Sequence, residues 1–158
     1  MGISRTGLRK RNGTEGQRGM FKRIMTPVDL GHVGKLEKAL AAAAALAKSE
    51  GAAITYVSVT SPQPGAVAHS PEEFKAKLEA FASEQGSAHG IPTDAHVIVS
   101  HDPSVDVDDA LLKAVTDLDA DLVVMASHAP GFADYFWPSN GGKVAAHSKA
   151  SVFVVRDN

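Results

Sequence analysis

The chain contains no cysteine. Disulfides, zinc–thiolate centres and thiol nucleophiles are therefore excluded, and the composition agrees with a reducing, cytoplasmic setting. No apolar run approaches the roughly 20 residues that a membrane-spanning helix needs. The N-terminal segment has no apolar stretch that would make it a secretory signal. Aromatics are scarce, with six Phe, two Tyr and one Trp. No Gly-x-Ser-x-Gly elbow occurs, so a Ser–His–Asp hydrolase has no anchor in the sequence. Charge of one sign is also lacking overall, the formal net charge being −2.

What is present is an ordinary globular composition: 158 residues, 44% hydrophobic and 22% charged, enough for one domain with a core. The small net charge hides an asymmetry. Residues 1–19 carry Arg5, Arg9, Lys10, Arg11 and Arg18 against Glu15, a net of +4, which leaves −6 for the rest. Gly, Asn and Gln accompany these cations and no helical period appears, so 1–19 reads as a disordered basic extension, an expression remnant or an over-long start. Five basic residues without aromatics make a poor nucleic-acid arm. The domain is expected to occupy 20–158.

Within it, β-rich runs alternate with amphipathic ones. "FKRIMTPVD" (21–29) reads as a first strand. A helix follows, with Leu36, Leu40, Ala43 and Ala47 on one face and Gly51 closing it. "AITYVSV" (53–59) is a second strand. Ser70-Pro71-Glu72-Glu73 opens a second helix with a cap, a first-turn Pro and two acids. Phe74, Leu78 and Phe81 form its apolar stripe, and Gly86 and Gly90 are expected to end it. "TDAHVIVS" (93–100) is a third strand, 104–120 a third helix, "DLVVMA" (121–126) a fourth strand, "GGKVAAHSK" a short helix and "SVFVVR" (151–156) the last strand. Strands alternating with helices predict an α/β domain: a single open, mostly parallel five-stranded sheet with helices on both faces. Ligands in such sheets bind beyond the carboxyl ends of the strands, where strand order reverses. The segments of interest are thus "PVDLGH", "VTSPQPG" and "SHAPGF".

Several chemistries can be weighed on these turns. Asp29 serves either as a turn cap or as a ligand contact. Asp106, Asp108 and Asp109 fit the ordinary acidic helix start better than a metal site. His32, His128 and Asp29 could converge as an acid–base or metal group, but no ligand spacing supports it. His101, His69, His89, His96 and His147 fit turns and surfaces. Phe132, Tyr135, Phe136 and Trp137 fit a lid packed on the domain, a pocket plug or a partner surface.

Taken in order, "KRIMTPVD", "ALAKSEGAAITYVSV", "HDPSVDVDDALLKAVTDLDADLVVMAS" and "PSNGGKVAAHSKASVFVVR" resemble the universal stress protein family across essentially the whole domain. A flavodoxin is disfavoured because no Ser/Thr-Gly-rich loop follows the first strand. A response regulator is disfavoured by the single Asp29 and by the lack of a Lys on the last strand.

The resemblance implies strand order 3-2-1-4-5, with the switch point between strands one and four. It also implies a stress-response regulator without a defined reaction, so no catalytic residue is named. Many members of the family bind ATP, accompanied by Mg, and pair their last strands as homodimers. Carried over to this chain, the adenine and ribose side would be Pro27, Val28, Asp29, Val59, Met125 and Ala126. The phosphate side would be Ser127, His128, Gly131, Ser139, Asn140 and Gly141. The dimer strand would be Val152, Phe153, Val154 and Val155. No metal site of the protein's own is expected.

This chain departs from the family's glycine pattern. Ala126, Ala129 and Pro138 stand where its three glycines are expected, and Gly131 with Gly141 only imitates the spacing. Pro138 also removes an amide donor. The adenine side thus looks retained and the phosphate side altered. The alternatives to a nucleotide-binding dimer are an interaction module without nucleotide, using the aromatic loop 131–138, and a weak phosphohydrolase relying on His128 or Asp29.

Overall fold

The computed structural model describes residues 19–127 and 140–156. Five strands form one sheet: β1 (Arg23–Pro27), β2 (Ala53–Thr60), β3 (Thr93–Val99), β4 (Leu122–Ser127) and β5 (Ser151–Arg156). Their order is β3-β2-β1-β4-β5 and every pairing is parallel, as expected. Four helices alternate with them: α1 (Glu37–Glu50), α2 (Pro71–His89), α3 (Pro103–Asp117) and α4 (Asn140–His147). No helix among the described residues is long and apolar enough to cross a membrane.

The sheet divides two cores. Ile24, Ile54, Tyr56 and Val124 pack with Leu40, Ala43 and Ala47 of α1 and Leu78 and Ala82 of α2. Met25, Val57, Val123 and Met125 pack with Leu111, Ala114 and Val115 of α3 and Val144 of α4. Alternate residues of β1, β2 and β4 thus serve opposite faces, which is why these strands are apolar in consecutive positions. The alanine-rich face of α1 places small side chains on the sheet, with Ala43 fully buried.

Local chemistry sets most boundaries. Ser70 caps α2 by accepting from the Glu73 amide at 3.1 Å. Gly51 and Gly90 close α1 and α2 in the left-handed region, with φ of 66° and 65°. Several boundaries differ from those read in the sequence, and three of the differences have a cause visible in the fold. Strand β1 is shorter at both ends, because the Phe21 and Lys22 amides are taken by the Glu50 and Asp121 side chains and the chain turns after Pro27. The segment before α1 is a separate 3-10 stretch, Leu30–Leu36, interrupted at His32. Gly86 does not end α2 but lies inside it. A methyl there would meet Thr93 Oγ1 at 2.6 Å and the Ile91 carbonyl at 3.1 Å, so glycine permits the close approach of α2 to β3.

Candidate functional site

Strand order reverses between β1 and β4, but the cleft of about 490 Å³ lies to one side of that point: the turns after β1 and β2 line it, with Phe74 and Pro103, and no described residue of β4 does. It begins with β1. Beyond Pro27 the Val28 amide still donates to Val57 at 2.8 Å, and the Ser58 hydroxyl donates to the Val28 carbonyl. The turn is therefore fixed to β2 from two sides. Asp29 comes next and caps the 3-10 segment. Its Oδ1 accepts the Gly31 amide at 2.9 Å and its Oδ2 lies 2.7 Å from His32 Nδ1. A carboxylate only accepts, so the imidazole carries its proton on Nδ1 in this contact. The Asp29 side chain is 16% exposed and that of His32 is 53% exposed.

The opposite wall is the 61–70 loop between β2 and α2. Gly65 donates to the Ala68 carbonyl at 2.8 Å and the Gln63 amide to Ser61 Oγ at 3.1 Å. Helix α2 braces this loop. The Lys77 ammonium donates to the Val67 carbonyl and pairs with Glu73 at 3.0 Å. Glu73 Oε2 accepts the His69 amide at 3.0 Å. That amide, and then Lys77, hold the Glu73 carboxyl below the usual Glu range. The two walls come close where Gly31 faces Val67, since a methyl on Gly31 would touch the valine at 3.5 Å. Phe74 supplies an apolar floor and Pro103, at the start of α3, a third side.

Of the residues singled out in the sequence, Val28, Asp29 and Val59 line this cleft together. Pro27 is buried at the end of β1 and Met125 is 1% exposed in the core beneath α3 and α4. Ala126 and Ser127 end β4, half-buried, opposite Val155 and Arg156 of β5. Asn140 and Gly141 open α4. His128, Gly131, Ser139 and the four loop aromatics lie outside the described residues. On β5, Val155 is buried, Val152 and Val154 are half-buried and Phe153 is 47% exposed. The Lys38 ammonium donates to the Arg156 carbonyl at 2.8 Å.

Two of the three helix-start acids turn to different partners. Asp106 accepts from the Ser100 hydroxyl at 3.2 Å, while Asp108 pairs with Lys143 of α4 at 3.3 Å. Among the described residues no group of three His, Asp or Glu side chains could hold a metal ion. Sequence reading missed Val67, Phe74 and Pro103 as cleft residues. Phe74 read only as part of a helix stripe, Val67 lies just past the Pro- and Gly-rich turn after the second strand, and Pro103 read only as part of the turn after the third.

Comparison with known proteins gives a consistent result. Residues 20–156 match the model of the universal stress protein family. Universal stress protein G of Salmonella typhimurium is 30% identical over 148 residues, which span 87% of this chain and all of that protein. Two solved structures share the fold. The universal stress protein from Archaeoglobus fulgidus in complex with dAMP has a TM-score of 0.59 at 19% identity, over 85% of this chain and 97% of its own. A family protein from Arabidopsis thaliana with AMP bound has a TM-score of 0.58 at 13% identity, over 87% and 92%.

Proposed function

The chain belongs to the universal stress protein family, and on that premise we propose that it is a stress-response regulatory protein, a homodimer that takes an adenine nucleotide in the cleft beyond β1 and β2. One observation carries the reading: a cleft of about 490 Å³ beyond the carboxyl ends of β1 and β2, on the β2 side of the reversal of strand order, lined by Asp29 together with Val28, Val59 and Phe74. Its size suits a base with its ribose, its apolar walls suit a planar ring, and a fixed carboxylate suits amino or hydroxyl donors. The dAMP and AMP complexes of the two relatives add support from analogy. Pro27, Met125 and Ala126 would then back the adenine side. Ser127, His128, Gly131, Ser139, Asn140 and Gly141 would face the phosphates, with Mg accompanying them.

The test is thermal. AMP and Mg–ATP, each at about 100 times its Kd, should stabilise the fold by about 2.7 kcal/mol, a shift of several degrees. Asp29→Ala should abolish the shift. A flat titration to millimolar concentrations of both nucleotides would dismiss the reading.

A second reading, a dimeric interaction module without nucleotide, is favoured by one feature. Both Asp29 oxygens already have partners inside the turn, so the carboxylate has a structural task without any ligand.

A further inference from the structure

We infer that the cleft is selective at the level of the nucleoside: it binds adenosine or an adenine monophosphate to within threefold of ATP, so that affinity does not climb steeply with phosphate number. The inference rests on the nucleotide reading above and adds to it a ligand class.

The argument is one of charge. Among the described residues lining the cleft there is no Lys or Arg. The ionisable ones are Asp29 and His32, which face each other at 2.7 Å. The remaining polar groups, Thr60, Ser61 and Gln63, are neutral. They can read the edge of a base or the hydroxyls of a ribose, but they cannot neutralise a polyphosphate. The chain between β4 and α4 does not supply the missing charge either. From Ala126 to Gly142 it has no Lys or Arg, and Asp134 adds a negative charge.

Three lysines on the surrounding helices have other partners. Lys77 donates to the Val67 carbonyl and pairs with Glu73. Lys38 donates to the Arg156 carbonyl at 2.8 Å. Lys143, the first cation after the β4–α4 connection, pairs with Asp108 at 3.3 Å. That pair matters twice. It neutralises Lys143, and it brings a carboxylate against α4, the helix whose leading amides would otherwise favour an anion. Pro138, two residues before α4, has no amide to offer. ATP carries roughly two more negative charges than AMP, and a site of this sign gives the added phosphates no attraction in return.

The experiment is a calorimetric titration of the full chain with adenosine, AMP, ADP and ATP, each without divalent cation, so that the phosphates keep their full charge. The expected result is an ATP Kd no more than threefold tighter than that of adenosine, with AMP between or equal. A Kd for ATP more than threefold tighter than for adenosine would overturn the inference and leave the nucleotide reading standing. Silence from all four ligands to millimolar concentration would sink the nucleotide reading and this inference with it.

Discussion

Asp29 and His32 form a closed pair across one turn of the chain, Oδ2 to Nδ1 at 2.7 Å, while the other carboxylate oxygen holds the Gly31 amide at 2.9 Å. The arrangement aims the carboxylate into the turn that begins the cleft. Two effects can therefore be separated by substitution. Asp29→Ala removes the cap and should cost about 1 kcal/mol of stability. His32→Ala removes an exposed partner and should cost less than about 1 kcal/mol. A double-mutant cycle by urea denaturation isolates the pair, with an expected coupling of about 0.5 kcal/mol. A coupling indistinguishable from zero would mean that the two side chains do not hold each other in solution.

Glu73 makes the wall of the cleft sensitive to acid. The His69 amide and the Lys77 ammonium stabilise its charged form, so its folded pKa lies below its ordinary value of 4.5. Between the two values the unfolded chain binds the extra proton, and stability rises with pH there. The contribution is fully present above 4.5 and is lost as pH falls through the lowered value. Urea midpoints of the wild type and Glu73→Gln, followed from pH 6 to pH 3, should differ by a constant amount at first and then converge. Curves that stay parallel throughout would remove Glu73 from the account.

Tyr56 gives the opposite sign at the other end of the scale. It is fully buried on β2, edge-on to Phe81 at 5.2 Å, and its hydroxyl has no protein partner among the described residues. Burial pushes its pKa from 10.0 up to about 12. The folded state keeps the proton longer, so stability is whole below pH 10 and declines as pH rises from 10 towards 12. Tyr56→Phe should remove that decline. At neutral pH it should be neutral or stabilising by up to about 1 kcal/mol, because a buried hydroxyl without a partner is lost. A destabilisation of more than about 1 kcal/mol at neutral pH would show that the hydroxyl is bonded after all.

These residues show where sequence reading reached and where it ended. Strand β5 matches the expected 151–156, because a short β-branched run between turn signals allows one interpretation. The Ser70 cap and the Gly90 stop were legible because each is a local event within one turn of helix. Gly86 was misread as a stop because its reason is tertiary: Thr93, seven residues on, fills the space where a side chain would go. Asp29 was legible as a cap or a contact, and the capping role is visible in the fold. The cleft wall was not legible. Glu73 and Lys77 are an i,i+4 pair that helical spacing allows, but the donation from Lys77 to the Val67 carbonyl, ten residues back in the loop, is one that no periodicity encodes.

The last prediction concerns β5, one of the two edges of the sheet among the described residues. Strand β5 pairs with β4 on one side, and its other side ends the sheet. It carries Phe153, 47% exposed, between half-buried Val152 and Val154. An apolar strand with unpaired main-chain groups invites association, and pairing with its own copy across a two-fold axis closes it without leaving a further edge. The wild type should therefore scatter light as a dimer. Phe153→Arg replaces the exposed apolar side chain of this edge with a charge, and two such strands brought together would carry like charges that repel. It leaves the buried Val155 untouched, so the fold should survive. The variant should run as a monomer with an unchanged circular dichroism spectrum. A wild type that is monomeric at micromolar concentration, or a folded Phe153→Arg that stays dimeric, would move the interface away from β5.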